Sequence, residues 1–260
     1  MTSLHEFKEK LVPAVVVRRP SATIKSPYVA DVVLTDGDGR TLLCHTPGLG
    51  CGGMMEEGAH IYVTLRRTTT SKTQCTAILA ECTDKQGTYY VGLHPMISQA
   101  CATKLLTSIS PTASWESEVT IEEGTRIDFV GTEPLTGKKI YVEVKNAMLS
   151  TDVSKIRCDR RAIFPDGYRK KKDEPISPRA VKHAEVLGRL AASGEKCVLL
   201  YMIPRKDCCD GVEINEKDPI YYSAVQTAVR SGVVLRAFSL DFRLDGTIWN
   251  GGEVPFYIRF

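Results

Sequence analysis

The chain has 260 residues, 43% of them hydrophobic and 25% charged, with 34 Lys and Arg against 31 Asp and Glu. That length and composition allow one large or two small globular domains and exclude a wholly disordered chain. The longest apolar runs, 14–17 and 197–203, fall far short of the roughly 20 residues a membrane-spanning helix needs, so no membrane partner is expected. Nine cysteines without a C-x-x-C pair argue against a disulfide framework. Alternating charges occupy the start, where an apolar leader would sit. Both features predict free thiols in a reducing compartment, the cytoplasm.

The first hundred residues read as short strands at 14–18, 29–34, 41–45, 60–65, 74–81 and 89–93, rich in β-branched residues or alternating apolar with polar. Turn-forming stretches separate them, among them Asp36-Gly37-Asp38-Gly39. Their spacing predicts a small OB-like five-stranded barrel over 1–93. Apolar residues at helical spacing in 94–107 predict a connecting helix. Strands follow at 116–121, 126–130 and 139–144. Ser177-Pro178 supplies an N-cap and a first-turn proline for a helix that Gly194 stops. The unbroken apolar run 197–203 predicts a central buried strand. Asp218-Pro219 starts a further helix, and 233–240 a further strand. The second unit, 94–260, is thus α/β (α+β) in class.

The chemistry concentrates on two of these strands. Arg126-Ile127-Asp128-Phe129 is followed fifteen residues after Asp128 by Glu143, within Val142-Glu143-Val144-Lys145. Alternation along a strand puts Glu143 and Lys145 on one side and Val142 and Val144 in the core. A hairpin would bring Asp128 beside them. Two carboxylates with the Val144 carbonyl suit Mg²⁺ or Mn²⁺, which prefer oxygen ligands. Such an ion polarises a phosphodiester and activates water, while Lys145 orients that water or meets the developing charge. The alternative is a solvated cross-strand salt bridge worth about 0–1 kcal/mol.

Charge is unevenly spread. Residues 155–172 carry Lys155, Arg157, Arg160, Arg161, Arg169, Lys170, Lys171 and Lys172 against two acids, a local +6 that leaves −3 for the rest of the chain. A basic loop between the Glu143 strand and the Ser177 helix would lie over the site and neutralise phosphates, with Arg126 and Lys182 nearby. A solvated loop or a localisation signal is the competing reading. Tyr62, Arg66, Arg67, Tyr89 and Tyr90 are candidates for a single-strand platform on the barrel.

Glu118, Arg126-Ile127-Asp128-Phe129, Tyr141-Val142-Glu143-Val144-Lys145, Phe164-Pro165-Asp166 and Lys182-His183 resemble, in order and spacing, the motifs of the sugar fermentation stimulation protein A (SfsA) family. Ala30-Asp31-Val32 and the segment from His45 are similar to its first-half motifs. The resemblance implies an N-terminal OB-fold followed by a PD-(D/E)XK restriction-endonuclease-like αβββαβ domain. It also implies DNA binding, with Asp128, Glu143 and Lys145 at the active-site positions. Val181 stands where the family has Gln, and Gly48-Leu49 where it has Asn-Thr. His183 is either a phosphate contact or proton shuttle, or a helix-surface histidine. Asp166 is either a site residue or a turn former.

Three functions stay open on the sequence. The chain is a Mg²⁺-dependent nuclease on DNA or RNA, a regulatory nucleic-acid-binding protein with a vestigial nuclease site, or a hydrolase of small phosphoesters. Oligomeric state is not legible.

Overall fold

The computed structural model describes residues 3–48, 51–66, 70–151, 153–165, 167, 171 and 173–260. In chain order the elements are β1 (Ser3–Glu6), β2 (Val12–Arg18), β3 (Val29–Leu34), β4 (Thr41–His45), β5 (His60–Leu65), β6 (Cys75–Asp84), β7 (Gly87–Gly92) and α1 (Pro95–Ile109). There follow β8 (Ser114–Glu122), β9 (Thr125–Thr132), β10 (Lys139–Asn146), β11 (Leu149–Ser150), β12 (Arg161–Phe164) and α2 (Pro178–Ala192). The last are β13 (Lys196–Ile203), β14 (Gly211–Ile214), α3 (Pro219–Arg230), β15 (Val234–Phe242), β16 (Thr247–Glu253) and β17 (Phe256–Tyr257).

Strands β2 to β6 close into a ring. Antiparallel pairs link β2 to β3, β3 to β4, β2 to β5 and β5 to β6. A parallel pair, Cys44 with Cys75 and His45 with Thr76, joins β4 to β6. The sixth strand, β7, adds to β6 outside the ring. Alternate residues fill the interior: Ala14 and Val16, Ala30 and Val32, Leu42 and Cys44, Ile61 and Val63, as period-two patterning requires.

The second half forms a seven-stranded sheet in the order β1-β16-β15-β13-β10-β9-β8. At its centre β10, β13 and β15 run parallel. Val198, Leu200 and Met202 of β13 meet Cys101, Ala102, Leu105 and Leu106 of α1 on one face. Cys197, Leu199, Tyr201 and Ile203 meet Ala184 and Leu187 of α2 and Val225 and Ala228 of α3 on the other. Burial on both faces is why this strand is apolar throughout. Both outer helices start as their sequences dictate: the Ser177 and Asp218 side chains accept from the backbone N–H of Ala180 and Tyr221.

Two features depart from the sequence reading. Strand β1 leaves the first unit and pairs with β16, because Leu4 is buried in the core beneath α1. A small sheet, β11-β12-β14-β17, occupies stretches where no strand was expected, β12 among them inside the expected basic loop, and it packs through Phe164 and Phe256 on the Tyr201 ring. Among the described residues no helix is long and apolar enough to cross a membrane.

The ring and the large sheet meet along β7. Gly92 N–H donates to Pro204 O at 2.6 Å, and Val91 bridges to Arg205. A Cβ on Gly92 would stand 2.4 Å from the Phe242 ring. We therefore expect Gly92→Ala to destabilise the protein by about 1–3 kcal/mol through overpacking. Urea unfolding monitored by far-UV circular dichroism checks this, and an unchanged midpoint would show the junction to be loose.

Candidate functional site

Backbone register builds the site. The β9–β10 ladder pairs Thr132 with Lys139 and continues to Phe129 with Val142, where it stops. Asp128 and Glu143 are the next facing positions. There the strand's alternation also breaks, since Ile127 belongs to the core under α2 and α3 while Phe129 belongs to the core under α1. Asp128 sits at that exchange of faces, and its Oδ2 accepts the free Val144 N–H at 2.7 Å in place of the interrupted ladder. From α1, Gln99 Nε2 donates to Asp128 Oδ1 at 3.0 Å.

Glu143 and Lys145 project together from β10, as alternation predicts. They are buried rather than solvated, at 3% and 7% exposure, which removes the surface salt-bridge alternative. Lys145 Nζ donates to Glu143 Oε1 at 2.6 Å. His183 Nδ1, reaching in from α2, shares the same oxygen and lies 3.5 Å from Lys145 Nζ. The other oxygen, Glu143 Oε2, is buried and has no hydrogen-bond partner. An ionised oxygen left bare in this way is costly unless a ligand comes to it.

Electrostatics separate the two carboxyls. Burial, and then the Glu143 charge, push Asp128 up to about 6, with the Val144 N–H pulling against them. For Glu143 burial acts upward too, but Lys145 and His183 outweigh it and hold the carboxyl below its ordinary range. Asp128, Glu143, Val144 and Lys145 line one cavity of about 550 Å³, with Gln99, Glu118, Arg126 and Arg179 around it. Among the described residues, no group of three or more His, Cys, Asp and Glu side chains is set to hold a metal. The donors present are two carboxylates, a carbonyl and space for water, a set suited to a hard, water-retaining divalent cation.

The remaining site candidates scatter. Arg126 lines the cavity and pairs with Glu118 at 2.6 Å. Lys182 Nζ donates to the Glu123 and Gly124 carbonyls at the β8–β9 turn, at 3.4 and 3.2 Å. Lys171 is exposed and pairs with Glu174. Arg169, Lys170, Lys172, Asp166 and Arg67 lie outside the described residues. His183 is 2% exposed and so is no helix-surface histidine.

At Arg157, Arg160 and Arg161 the structure departs from the basic-loop expectation, because acids of the fold hold all three. Arg160 is 2% exposed and pairs with Asp84 at 2.7 Å and Asp207 at 3.0 Å. Arg157 pairs with Asp84 at 2.9 Å and donates to Gly87 O. Arg161 pairs with Asp210 and Glu213 and lies over the Tyr257 ring. A local charge count cannot see acids brought in from β6 and from the chain after β13. These guanidiniums fasten the segment to the ring and to the small sheet. The aromatic platform dissolves as well: Tyr62 and Tyr90 stack edge-on beneath the core and Tyr89 lies under arginines.

Sequence reasoning missed Gln99 and Arg179. Ser177-Pro178 at a helix start signals that Arg179 occupies a first turn, but nothing local aims Gln99 at a sheet two elements away.

The family model described as the sugar fermentation stimulation protein RE domain matches residues 93–246. A sugar fermentation stimulation protein homolog of Rhodospirillum centenum is 30% identical over 246 residues, covering 92% of this chain and 94% of its own. That of Dinoroseobacter shibae is 28% identical, covering 89% and 88%. The structure of Pyrococcus furiosus SfsA in complex with Ca²⁺ superposes with a TM-score of 0.78 at 20% identity, covering 99% of this chain and 100% of that one.

Proposed function

The chain belongs to the sugar fermentation stimulation protein family, and on that premise we propose that it binds nucleic acid and hydrolyses phosphodiester bonds with Mg²⁺ or Mn²⁺ held at Asp128, Glu143 and the Val144 carbonyl. The observation that carries this reading is Glu143 Oε2, a buried carboxylate oxygen without a hydrogen-bond partner, on a side chain that lines one cavity with Asp128 and Lys145. The similar P. furiosus structure is in complex with Ca²⁺, another cation that takes oxygen ligands. We read the strands β2 to β7 of the first unit, expected over 1–93, as an OB-like barrel. Numbered from β2, its ring runs one-two-three-five-four and back to one, with the three–five pair parallel, and that order supports the reading. The second unit, 94–260, we read as PD-(D/E)XK-like, on the succession α1, β8, β9, β10, α2, β13 with the acids at the β9–β10 ladder's end.

A divalent ion at these oxygens supplies Lewis-acid polarisation of the phosphodiester and a water of lowered pKa. The chain's own groups do the rest. His183 fixes the Glu143 carboxylate from behind. Lys145 brings a buried positive charge to the side where negative charge develops. Arg126 and Arg179 at the cavity rim contact flanking phosphates, joined along α2 by Lys182.

A nicking assay on plasmid, single-stranded DNA and RNA with Mg²⁺, Mn²⁺ or EDTA tests this. Wild-type protein should cut in either metal and not in EDTA. Glu143→Ala should reduce cutting to background and Lys145→Ala should slow it about 10²–10³-fold. Salt-sensitive binding of every polymer without cutting would replace the nuclease by a regulatory binder. Turnover confined to mononucleotides would replace it by a small-phosphoester hydrolase.

A further inference from the structure

The fold sorts the nine cysteines by exposure. Six are buried and Cys82 is half-buried, whereas Cys158 and Cys209 are exposed. Although distant in sequence, these two stand side by side. Cys158 lies in a 3₁₀ turn, Arg157–Asp159, just before β12, and Cys209 lies just before β14. Strands β12 and β14 pair in parallel from Arg161 with Gly211 onward, and their backbones already run together upstream. The Cys209 N–H donates to Arg157 O at 3.3 Å, and the Asp210 N–H to Arg160 O at 3.1 Å. Backbones joined in this way lie about 5 Å apart, and a disulfide spans Cα atoms about 4.4–6.8 Å apart. Both carriers are fixed as well, because Arg160 Nη1 donates to Asp207 Oδ2 at 3.0 Å in a buried pair that flanks the two thiols. Each thiol donates within its own turn, Cys158 Sγ to Asp159 Oδ1 at 3.5 Å and Cys209 Sγ to Lys206 O at 3.4 Å. A thiol is a weak donor, so little is given up when these contacts are exchanged for a covalent bond.

We propose that Cys158 and Cys209 form a redox-modification site, a thiol pair that closes to a disulfide by exchange with a low-molecular-weight disulfide such as oxidised glutathione. One thiol loses its proton, and its thiolate attacks the glutathione disulfide. A mixed disulfide forms and one glutathione leaves. The second protein thiolate then attacks the protein sulfur of that mixed disulfide and releases the other glutathione. Two protein thiols and one oxidised glutathione thus give one protein disulfide and two reduced glutathiones. The protein gives up two electrons and two protons, and glutathione takes up both. The bridge closes a loop of about 50 residues, and cross-linking a loop of that length restrains the unfolded chain. That loop contains β12, α2 and β13. Arg157 and Arg160 already fasten the same segment to Asp84 of β6. The bridge adds a covalent link from the segment to the chain after β13, so the joint between ring and large sheet no longer depends on ion pairs alone. In a reducing pool both sulfurs stay thiols. As the pool shifts toward its disulfide, the staple closes and the fold tightens.

Equilibrating the full chain with mixtures of reduced and oxidised glutathione, alkylating the remaining thiols and weighing the intact protein tests this. As oxidised glutathione comes to dominate, wild-type protein should lose two alkylatable thiols together and carry no glutathione. Digestion without reductant should then yield one cross-linked peptide pair, joined through Cys158 and Cys209. Cys158→Ser and Cys209→Ser should each carry one glutathione on the cysteine that remains. Oxidised wild type should melt about 5 °C or more above its reduced form, and neither variant should show that gain. Melts with reductant present should coincide for all three proteins, which separates a folding defect from the loss of the bridge. Two glutathiones on wild type, a link through Cys82 or Cys208 instead, or a full set of thiols in excess oxidised glutathione would each overturn the pair. A bridge that forms without raising the melting midpoint would overturn the staple.

Discussion

Asp207→Ala is expected to cost about 3–5 kcal/mol of folding stability, far more than any exposed ion-pair deletion in this chain. Asp207 is fully buried and accepts two bonds from Arg205, at 2.7 and 2.8 Å, and one from Arg160 at 3.0 Å. Both arginines are themselves buried, at 3% and 2% exposure. Removing the carboxylate leaves Arg160 with Asp84 as its counter-ion, and leaves Arg205 with the Met148 carbonyl, which carries no full charge. The damage comes from stranding the desolvated Arg205 cation and halving the pairing of Arg160, and the fork geometry of the Arg205 pair cannot be rebuilt by water in so closed a place. Asp210→Ala is the matched control. Its pair with Arg161 is about a third exposed on both sides, and its loss should stay within roughly 1 kcal/mol. Urea unfolding of the three proteins at one pH decides the matter. A loss under 1 kcal/mol for Asp207→Ala would mean that water reaches the network.

The same network marks where sequence reasoning ran out. Strands such as β3, β4 and β5 were legible to the residue, because period-two patterning and turn chemistry are local signals. So were the starts of α2 and α3, each announced by a capping side chain before a proline. The pairing of Asp128 with Glu143 was legible as well, since a short connection between two strands forces a hairpin. What lay beyond reach depended on partners distant in sequence. Arg160 looked like a phosphate ligand among other bases, and its carboxylates come from Asp84 and Asp207. Strand β12 runs through that same basic stretch and is held by β14, which no local pattern reveals. Gln99 reads as one of several polar residues on an amphipathic helix. Only the packing of α1 against the sheet turns it toward the acids.

Asp128→Asn should make the protein more stable in EDTA at neutral pH, by as much as about 3 kcal/mol, while weakening cation binding. Burial and the neighbouring Glu143 charge push the Asp128 carboxyl up to about 6 from an ordinary 3.8. A carboxyl whose pKa rises on folding is held more tightly as the acid in the native state. Its contribution to stability is therefore fully present below 3.8 and is lost as the pH climbs through about 6. At 1.36 kcal/mol per pH unit the gap corresponds to about 3 kcal/mol. Asparagine has the same shape and never ionises, so its advantage should be largest above pH 6 and should shrink toward pH 4. Its Oδ1 can still accept the Val144 N–H that Asp128 receives at 2.7 Å. Its NH₂ then faces Gln99, whose amide can turn to accept. Chemical denaturation of both proteins in EDTA between pH 4 and 8 measures the difference directly. Equal stabilities at pH 7.5 would show that solvent screens Asp128 more than its burial implies. A pH-dependent gain in the variant, together with weaker Mn²⁺ binding, would show that the fold gives up stability at this position to keep a charged oxygen in the cavity.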